Sequence, residues 1–282
     1  MKGAFAMSLY HKNSALFVRH IELNVKDLSK MADFYTRVLQ FNVLKETETA
    51  VIFSFDGVNP ILTLHQTSDL KDKRTTLYHV AYLYPNQYAL SKVLKHIALS
   101  KYPITGGADH TVSEAIYLDD PEGNGIELYV DTNPTAWSDI ESHPEHLENK
   151  PFPYQAYLND TYTLEGNEID PIIGHVHLHT SNLTESTNFF QDILGFDMMV
   201  RIPSAHFLST ANYHHHIALN TWRKSNQISV GLGLRKMVMD TDDLSLKHRL
   251  IEHIKQNIDY QIRDGFITFK DYDHNVIAIP MP

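Results

Sequence analysis

The run Tyr117-Leu118-Asp119-Asp120-Pro121-Glu122-Gly123-Asn124-Gly125-Ile126-Glu127 ends on a carboxylate that a tight turn sets on a strand. Upstream lies an alternating run that carries a histidine, Tyr78-His79-Val80-Ala81-Tyr82-Leu83. A second histidine-bearing run, Ile173-Gly174-His175-Val176-His177-Leu178-His179, opens the second half of the chain. Two imidazoles and one carboxylate around one cation, with the other positions open, form the ligand set that suits non-haem Fe(II). His79 and Glu127 anchor such a set, and His20 and His175 compete for the third place.

Composition narrows what such a cation centre could be. The chain has 282 residues, 18 histidines and no cysteine, so any metal must be held by His, Asp, Glu or Tyr, and disulfides and thiolate chemistry are excluded. A formal net charge of −10 argues against nucleic acid or an anionic membrane surface as partner. No apolar run reaches the 18 or so residues of a membrane span. The opening Met1-Lys2-Gly3-Ala4-Phe5-Ala6-Met7 is too short in apolar residues for a signal peptide, so a cytoplasmic location is the expectation. Homo-oligomerisation is left open.

The elements that must position these side chains come from a repeat. His20-Ile21-Glu22-Leu23-Asn24-Val25-Lys26-Asp27-Leu28 aligns without a gap on His175-Val176-His177-Leu178-His179-Thr180-Ser181-Asn182-Leu183, and Phe34-Tyr35 falls on Phe189-Phe190. Each copy reads as an alternating strand, a helix cap at Asp27 or Asn182, and an amphipathic helix. Weaker copies begin near Leu77 and Ser229, with helices over 87–100 and 244–257 and closing strands at 115–118, 125–130, 266–269 and 275–279. The expectation is an α+β protein of four βαβββ units, grouped as a first two-unit domain over 14–131, a linker over 132–171 and a second two-unit domain over 172–282. His20, His79 and His175 head first strands, and Val230 or Gly231 takes that place in the fourth unit. Glu127 closes the second unit, where the third and fourth units offer Ala218 and Ala278.

Four such units with histidines at their heads and a glutamate closing one resemble the vicinal oxygen chelate superfamily, whose paired units form half-barrel cups. Within it, Gly174-His175-Val176-His177-Leu178, Tyr213-His214-His215-His216-Ile217-Ala218-Leu219-Asn220 and Ser113-Glu114-Ala115-Ile116-Tyr117-Leu118 are similar to catechol 2,3-dioxygenases of the Bacillus type. The extradiol signature is nearly met by His110, Ile116, Tyr117, Asp120-Pro121-Glu122-Gly123 and Glu127; Ala108 departs from it. The resemblance favours His175 over His20 and so implies His79, Glu127 and His175 as ligands of Fe(II), with Mn(II) as the alternative ion.

The resemblance also implies an activity, ring cleavage of a catechol or hydroquinone-like aromatic, so the expected partners are a small aromatic diol and O₂. The alternatives are a glyoxalase-like metal-dependent lyase or isomerase, a thiol transferase, and a non-catalytic binding protein of the bleomycin-resistance kind. Glyoxalase-like relatives use a second carboxylate, which Ala218 and Ala278 do not supply. A catechol must lose protons on binding and the reaction must return one, so a neutral imidazole beside the open face suits the chemistry. Alternation on a strand puts His214 and His216 on one face and His215 on the other; the resemblance favours His215, with His110 and Tyr117 as donors to substrate oxygens.

Overall fold

The computed structural model describes residues 10–68, 76–137, 148–159, 162, 170–223 and 231–282. The opening residues 1–9, the alternative first-strand position Val230 and much of the 132–171 segment lie outside the described residues.

Four βαβββ units follow one another. The first comprises β1 (Phe17–Val25), α1 (Leu28–Arg37), β2 (Asn42–Glu46), β3 (Ala50–Ser54) and β4 (Leu62–Gln66). The second comprises β5 (Leu77–Leu83), α2 (Gln87–Ser100), β6 (Gly106–Asp109), β7 (Ser113–Asp119) and β8 (Gly125–Asp131). After β9 (Lys150–Pro151) and the short α3 (Tyr154–Leu158) comes the third unit, with β10 (Ile172–His179), α4 (Leu183–Asp192), β11 (Asp197–Ile202), β12 (Ala205–Ser209) and β13 (Ile217–Asn220). The fourth has β14 (Gly233–Asp240), α5 (Leu244–Asn257), β15 (Tyr260–Arg263), β16 (Phe266–Lys270) and β17 (Val276–Pro280). The helices over 87–100 and 244–257 end where the sequence spacing places them.

Helix starts follow from the expected caps. The Asp27 carboxylate accepts the Lys30 amide and the Asn182 side chain accepts the Thr184 and Glu185 amides, satisfying donors that a helix leaves unpaired. The apolar stripe of α1 buries Leu28, Met31, Phe34 and Tyr35, spaced by three or four residues, against the sheet.

The two sheets cut across the two halves of the chain. An eight-stranded sheet runs β15-β16-β17-β14-β1-β4-β3-β2, joining the first and fourth units, and a nine-stranded sheet runs β11-β12-β13-β10-β5-β8-β7-β6-β9, joining the third and second. The division at 14–131 and 172–282 therefore describes the repeat along the chain, whereas each sheet takes one unit from each half. The joints are antiparallel first strands, β1 against β14 and β5 against β10. First strands carry apolar side chains on both faces, and pairing them leaves the mostly exposed β2 and β15 at the edges of their sheet.

Units within one half are tied differently, through turns that cap helices of the other sheet. The Glu122 carboxylate of the β7–β8 turn accepts the Lys26 and Asp27 amides at the start of α1. Asp273, in the matching turn before β17, accepts from the Ser181 amide and from the Thr180 and Ser186 hydroxyls beside α4. Both turns are closed in the same way, since Asp120 accepts the Asn124 amide and Asp271 the Asn275 amide.

The segment over 132–171 is more than a connection. Its β9 extends the nine-stranded sheet, Trp137 is buried, and α3 buries Tyr157, whose carbonyl accepts from Ser91 on α2. Among the described residues, no helix is long and apolar enough to cross a membrane.

Candidate metal centre

Three neighbouring strands of the nine-stranded sheet each deliver one ligand atom to a common point. His175 stands on β10, His79 on the adjacent β5, and Glu127 on β8 beyond it. His79 Nε2 lies 3.0 Å from Glu127 Oε2, His175 Nε2 3.3 Å from the same oxygen, and the two nitrogens are 3.4 Å apart. All three residues are at most 6% exposed. With bonds of about 2.1 Å, two ligands stand about 3.0 Å apart at octahedral cis positions and about 3.4 Å apart on a tetrahedron. The observed separations span that interval, so one divalent cation fits among the three atoms, and this is the group of described side chains that can hold one.

Local backbone contacts fix this convergence. Gly125 pairs with His79 across the parallel β5–β8 ladder, and a Cβ on it would meet the Tyr78 carbonyl oxygen at 2.2 Å. A Cβ at Gly174, beside His175, would come within 1.8 Å of the Tyr129 hydroxyl. Both ligand strands thus depend on a glycine for the close approach of their neighbours.

The protonation states match what a cation needs. Burial works against the Glu127 carboxylate, but the charge and hydrogen bond of His175, aided by His79, hold it well below the usual carboxylate range. Burial lowers His175 to about 4 despite the pull of Glu127. Near neutral pH the cluster is a carboxylate with unprotonated His175, ready to coordinate.

An open cavity of about 820 Å³ adjoins the three ligands, and His110, Tyr117, His177, His214 and His215 share its lining. Tyr117, on β7, has its hydroxyl 2.6 Å from His110 Nε2, while His110 Nδ1 lies 2.5 Å from Asn149 Oδ1. Asn149 accepts, so His110 carries its proton on Nδ1 and Tyr117 donates to Nε2. Burial first, then the nearby Glu127 charge, raises the Tyr117 phenol and keeps it protonated.

The triple histidine departs from the expected strand alternation. Residues 213–216 precede β13, and left-handed backbone at Ala211 (φ 56°) and Asn212 (φ 59°) turns the chain before it. His214 and His215 therefore both line the cavity, whereas His216 points away, with Nε2 at 2.9 Å from the Tyr10 carbonyl oxygen. His214 Nε2 is 2.9 Å from Asp131 Oδ1, and its Nδ1 is 2.8 Å from His215 Nδ1. Burial, then the neighbouring histidines, holds His215 well below the usual imidazole range and hence neutral.

Two residues of this site have a part that the sequence alone does not assign. Asp131 fell at the boundary of the linker; it lies four residues beyond Glu127 on β8, a spacing that shares a strand face. His177 reads from sequence as structural or at the rim, yet it is buried, lines the cavity and has an Nε2 without a hydrogen-bond partner. Its two-residue offset from His175 was the signal for both facing one way.

Among the described residues, the other sheet carries no matching centre. His20 heads β1, but its Nε2 contacts the Thr63 hydroxyl at 2.8 Å. Register corrects the fourth-unit counterpart of His79: His177 opposes His79, and Glu22, which matches His177, opposes Lys236, so Lys236 and not Val230 or Gly231 takes that place. Its ammonium lies 2.6 Å from Glu22 Oε1, so an ion pair sits where the second unit contributes a ligand. The same registers put Ala278 opposite Val238, as Glu127 is opposite Ala81, and Ala218 opposite His177.

The chain matches the Glyoxalase/Bleomycin resistance protein/Dioxygenase superfamily over residues 18–128 and 172–279. It belongs to that superfamily. A catechol-2,3-dioxygenase of Bacillus subtilis (strain 168) is 35% identical over 280 residues, covering 89% of this chain and 96% of the relative. Among solved structures, a Bacillus subtilis (str. 168) protein provisionally described as a dioxygenase superposes with a TM-score of 0.66 at 16% identity, covering 95% of this chain and 86% of that one. Glyoxalase I from Zea mays gives 0.59 at 16% identity, with 94% and 92% covered. At these identities the superpositions establish the fold alone.

Proposed function

We propose that the protein is an Fe(II)-dependent extradiol dioxygenase that opens the ring of a catechol or hydroquinone-like aromatic. The observation that carries this reading is the convergence of His79 Nε2, His175 Nε2 and one oxygen of Glu127 within 3.4 Å beside an open cavity, with alanine at the counterpart carboxylate positions. Three ligands on one side leave room for a two-oxygen substrate and a second molecule. The 35% identical catechol-2,3-dioxygenase supports the same choice. A glyoxalase-like lyase using a carboxylate from each unit finds only Ala218 in the third.

When bound, iron would activate dioxygen and polarise the coordinated diol. The chain's own residues would manage protons and exclude water. Asp131 takes the Nε2 proton of His214 in a hydrogen bond, which leaves His214 Nδ1 as acceptor for the Nδ1–H of His215. His215 Nε2 is then an unprotonated base beside the ligands, able to take a hydroxyl proton from the diol and return it later. Tyr117, held protonated, gives its one O–H to His110 Nε2 and so sets a phenol oxygen that can accept a hydrogen bond on the opposite side of Glu127 from His175. Phe207 packs against His215, with ring centroids 5.1 Å apart, and keeps that side dry.

The test is anaerobic loading with Fe(II), metal analysis, and then oxygen uptake with catechol alongside the absorbance of the ring-opened product. Stoichiometric oxygen uptake and product, both absent from His79→Ala, are expected. Turnover of a glutathione hemithioacetal with Ni(II) or Zn(II), and none of catechol with iron, would overturn the reading.

A further inference from the structure

The cavity beside the ligand cluster is much larger than a bare diol requires. It measures about 820 Å³, whereas a cavity of about 150 Å³ is enough to take benzene. Sites of several hundred Å³ are those that enclose ligands of multi-ring size.

Its lining is divided by chemistry. The histidines, Glu127 and Tyr117 occupy one part, and Val112, Trp137, Met199, Val200 and Ile202 form another. These five belong to one contiguous apolar cluster together with Phe207, which touches His215. A bulge between Met198 and Val200 enlarges this wall: alternation would give β11 only every second side chain, but the bulge lets Met199 and Val200 both reach the cavity while Met198 packs into the main core. Among the described residues, no lysine or arginine lines the cavity, and Glu127 is the one carboxylate that does. Among those described lining residues a carboxylated ring finds no lysine or arginine to pair with, and an apolar substituent finds a surface to cover.

We infer that the substrate is a neutral catechol bearing a bulky apolar substituent, which lies against Val112, Trp137, Met199, Val200 and Ile202 while the two hydroxyls face the ligand cluster. This rests on the ring-cleaving reading above and adds to it a preference that the metal ligands do not set.

The experiment compares kcat/KM of the iron-loaded protein for catechol, for butylcatechols substituted at position 3 or 4, and for 3,4-dihydroxybenzoate. The better butylcatechol is expected to exceed catechol at least tenfold, with the carboxylated ring slowest. Val200→Arg and Met199→Gln, checked for folding by retained iron, should bring the butylcatechol-to-catechol ratio down towards one. A second measurement needs no iron: calorimetric binding of 4-butylphenol, which cannot be ring-cleaved, should be measurable in the wild type and weakened at least tenfold by Val200→Arg. Cleavage of catechol as well as or better than either butylcatechol overturns this inference and leaves the dioxygenase reading standing. If no diol is cleaved, the dioxygenase reading fails, and 4-butylphenol binding alone decides whether the apolar subsite exists; absence of that binding overturns it.

Discussion

Replacing Glu127 by glutamine keeps the side-chain shape and removes the only carboxylate among the three ligands, so it isolates the charge from the packing. A ligand that binds only the folded state stabilises it by about 2.7 kcal/mol at a hundred times its dissociation constant. Unfolding entropy of about 2.1 cal/mol/K per residue gives roughly 0.6 kcal/mol/K for a chain of this length, so saturating Fe(II) should raise the wild-type Tm by about 4–5 °C. A hundredfold loss of affinity in Glu127→Gln, at the same iron concentration, would leave about 0.4 kcal/mol and a rise under 1 °C. The assay is anaerobic scanning calorimetry with and without Fe(II), paired with metal analysis of the same samples. His20→Ala is the control: its imidazole contacts Thr63 in the other sheet, so its iron-dependent rise should match the wild type. Glu127→Gln protein that keeps one iron per chain and the full rise would refute the ligand assignment.

Tyr117→Phe removes the hydroxyl that donates to His110 Nε2 at 2.6 Å and should lower kcat on the order of tenfold to a hundredfold with iron content unchanged, as read by steady-state kinetics with metal analysis. His215→Asn should cost on the order of 10² to 10⁴-fold in kcat, and Asp131→Asn should cost less, because it loosens the orientation of His214 without removing the base; equal activity of His215→Asn and wild type would remove the assigned role. The metal-free protein should lose stability as pH falls from about 6.5 towards 4. His11, His20 and His175 are each lowered to about 4 by burial, and His177, His215 and His216 lie well below the usual range for the same first reason, so the unfolded chain binds more protons there. Burial raises Asp120 to about 6 and Asp271 to about 7, which acts in the opposite sense, but six histidines outweigh two carboxyls. Urea midpoints that stay level from pH 7 to 5 would contradict this. Gly174→Ala should destabilise the fold and weaken iron binding together, since its Cβ would overlap the Tyr129 hydroxyl next to His175; denaturant titration and metal analysis read both.

The repeat, its helix limits and its caps were legible because they are local. A side chain at Asp27 or Asn182 reaches amides two or three residues on, and helix and strand periods are written directly in apolar spacing. The candidate ligands His79 and Glu127 were legible for a related reason, since both belong to one unit, whose crossover through α2 and β7 lays the parallel strands β5 and β8 side by side. Harder to read were residues whose meaning depends on a neighbour distant in sequence. Asp131 reads as the last residue before a linker, and only the fold shows its partner, His214, 83 residues later. The triple histidine reads from sequence as regular strand, but two left-handed residues, neither of them glycine, break the alternation just before it.

The order of residues alone thus determined that four βαβββ units form, that cysteine has no part, and that one unit alone pairs a first-strand histidine with a closing glutamate. Which first strand lies against β5 was a tertiary decision. A strand whose two edges are both free can pair with any other first strand of suitable pattern, and only the packing of whole sheets selects among them. That selection set β10 beside β5, brought His175 rather than His20 to Glu127, and left the Glu22–Lys236 ion pair at the corresponding place in the other sheet.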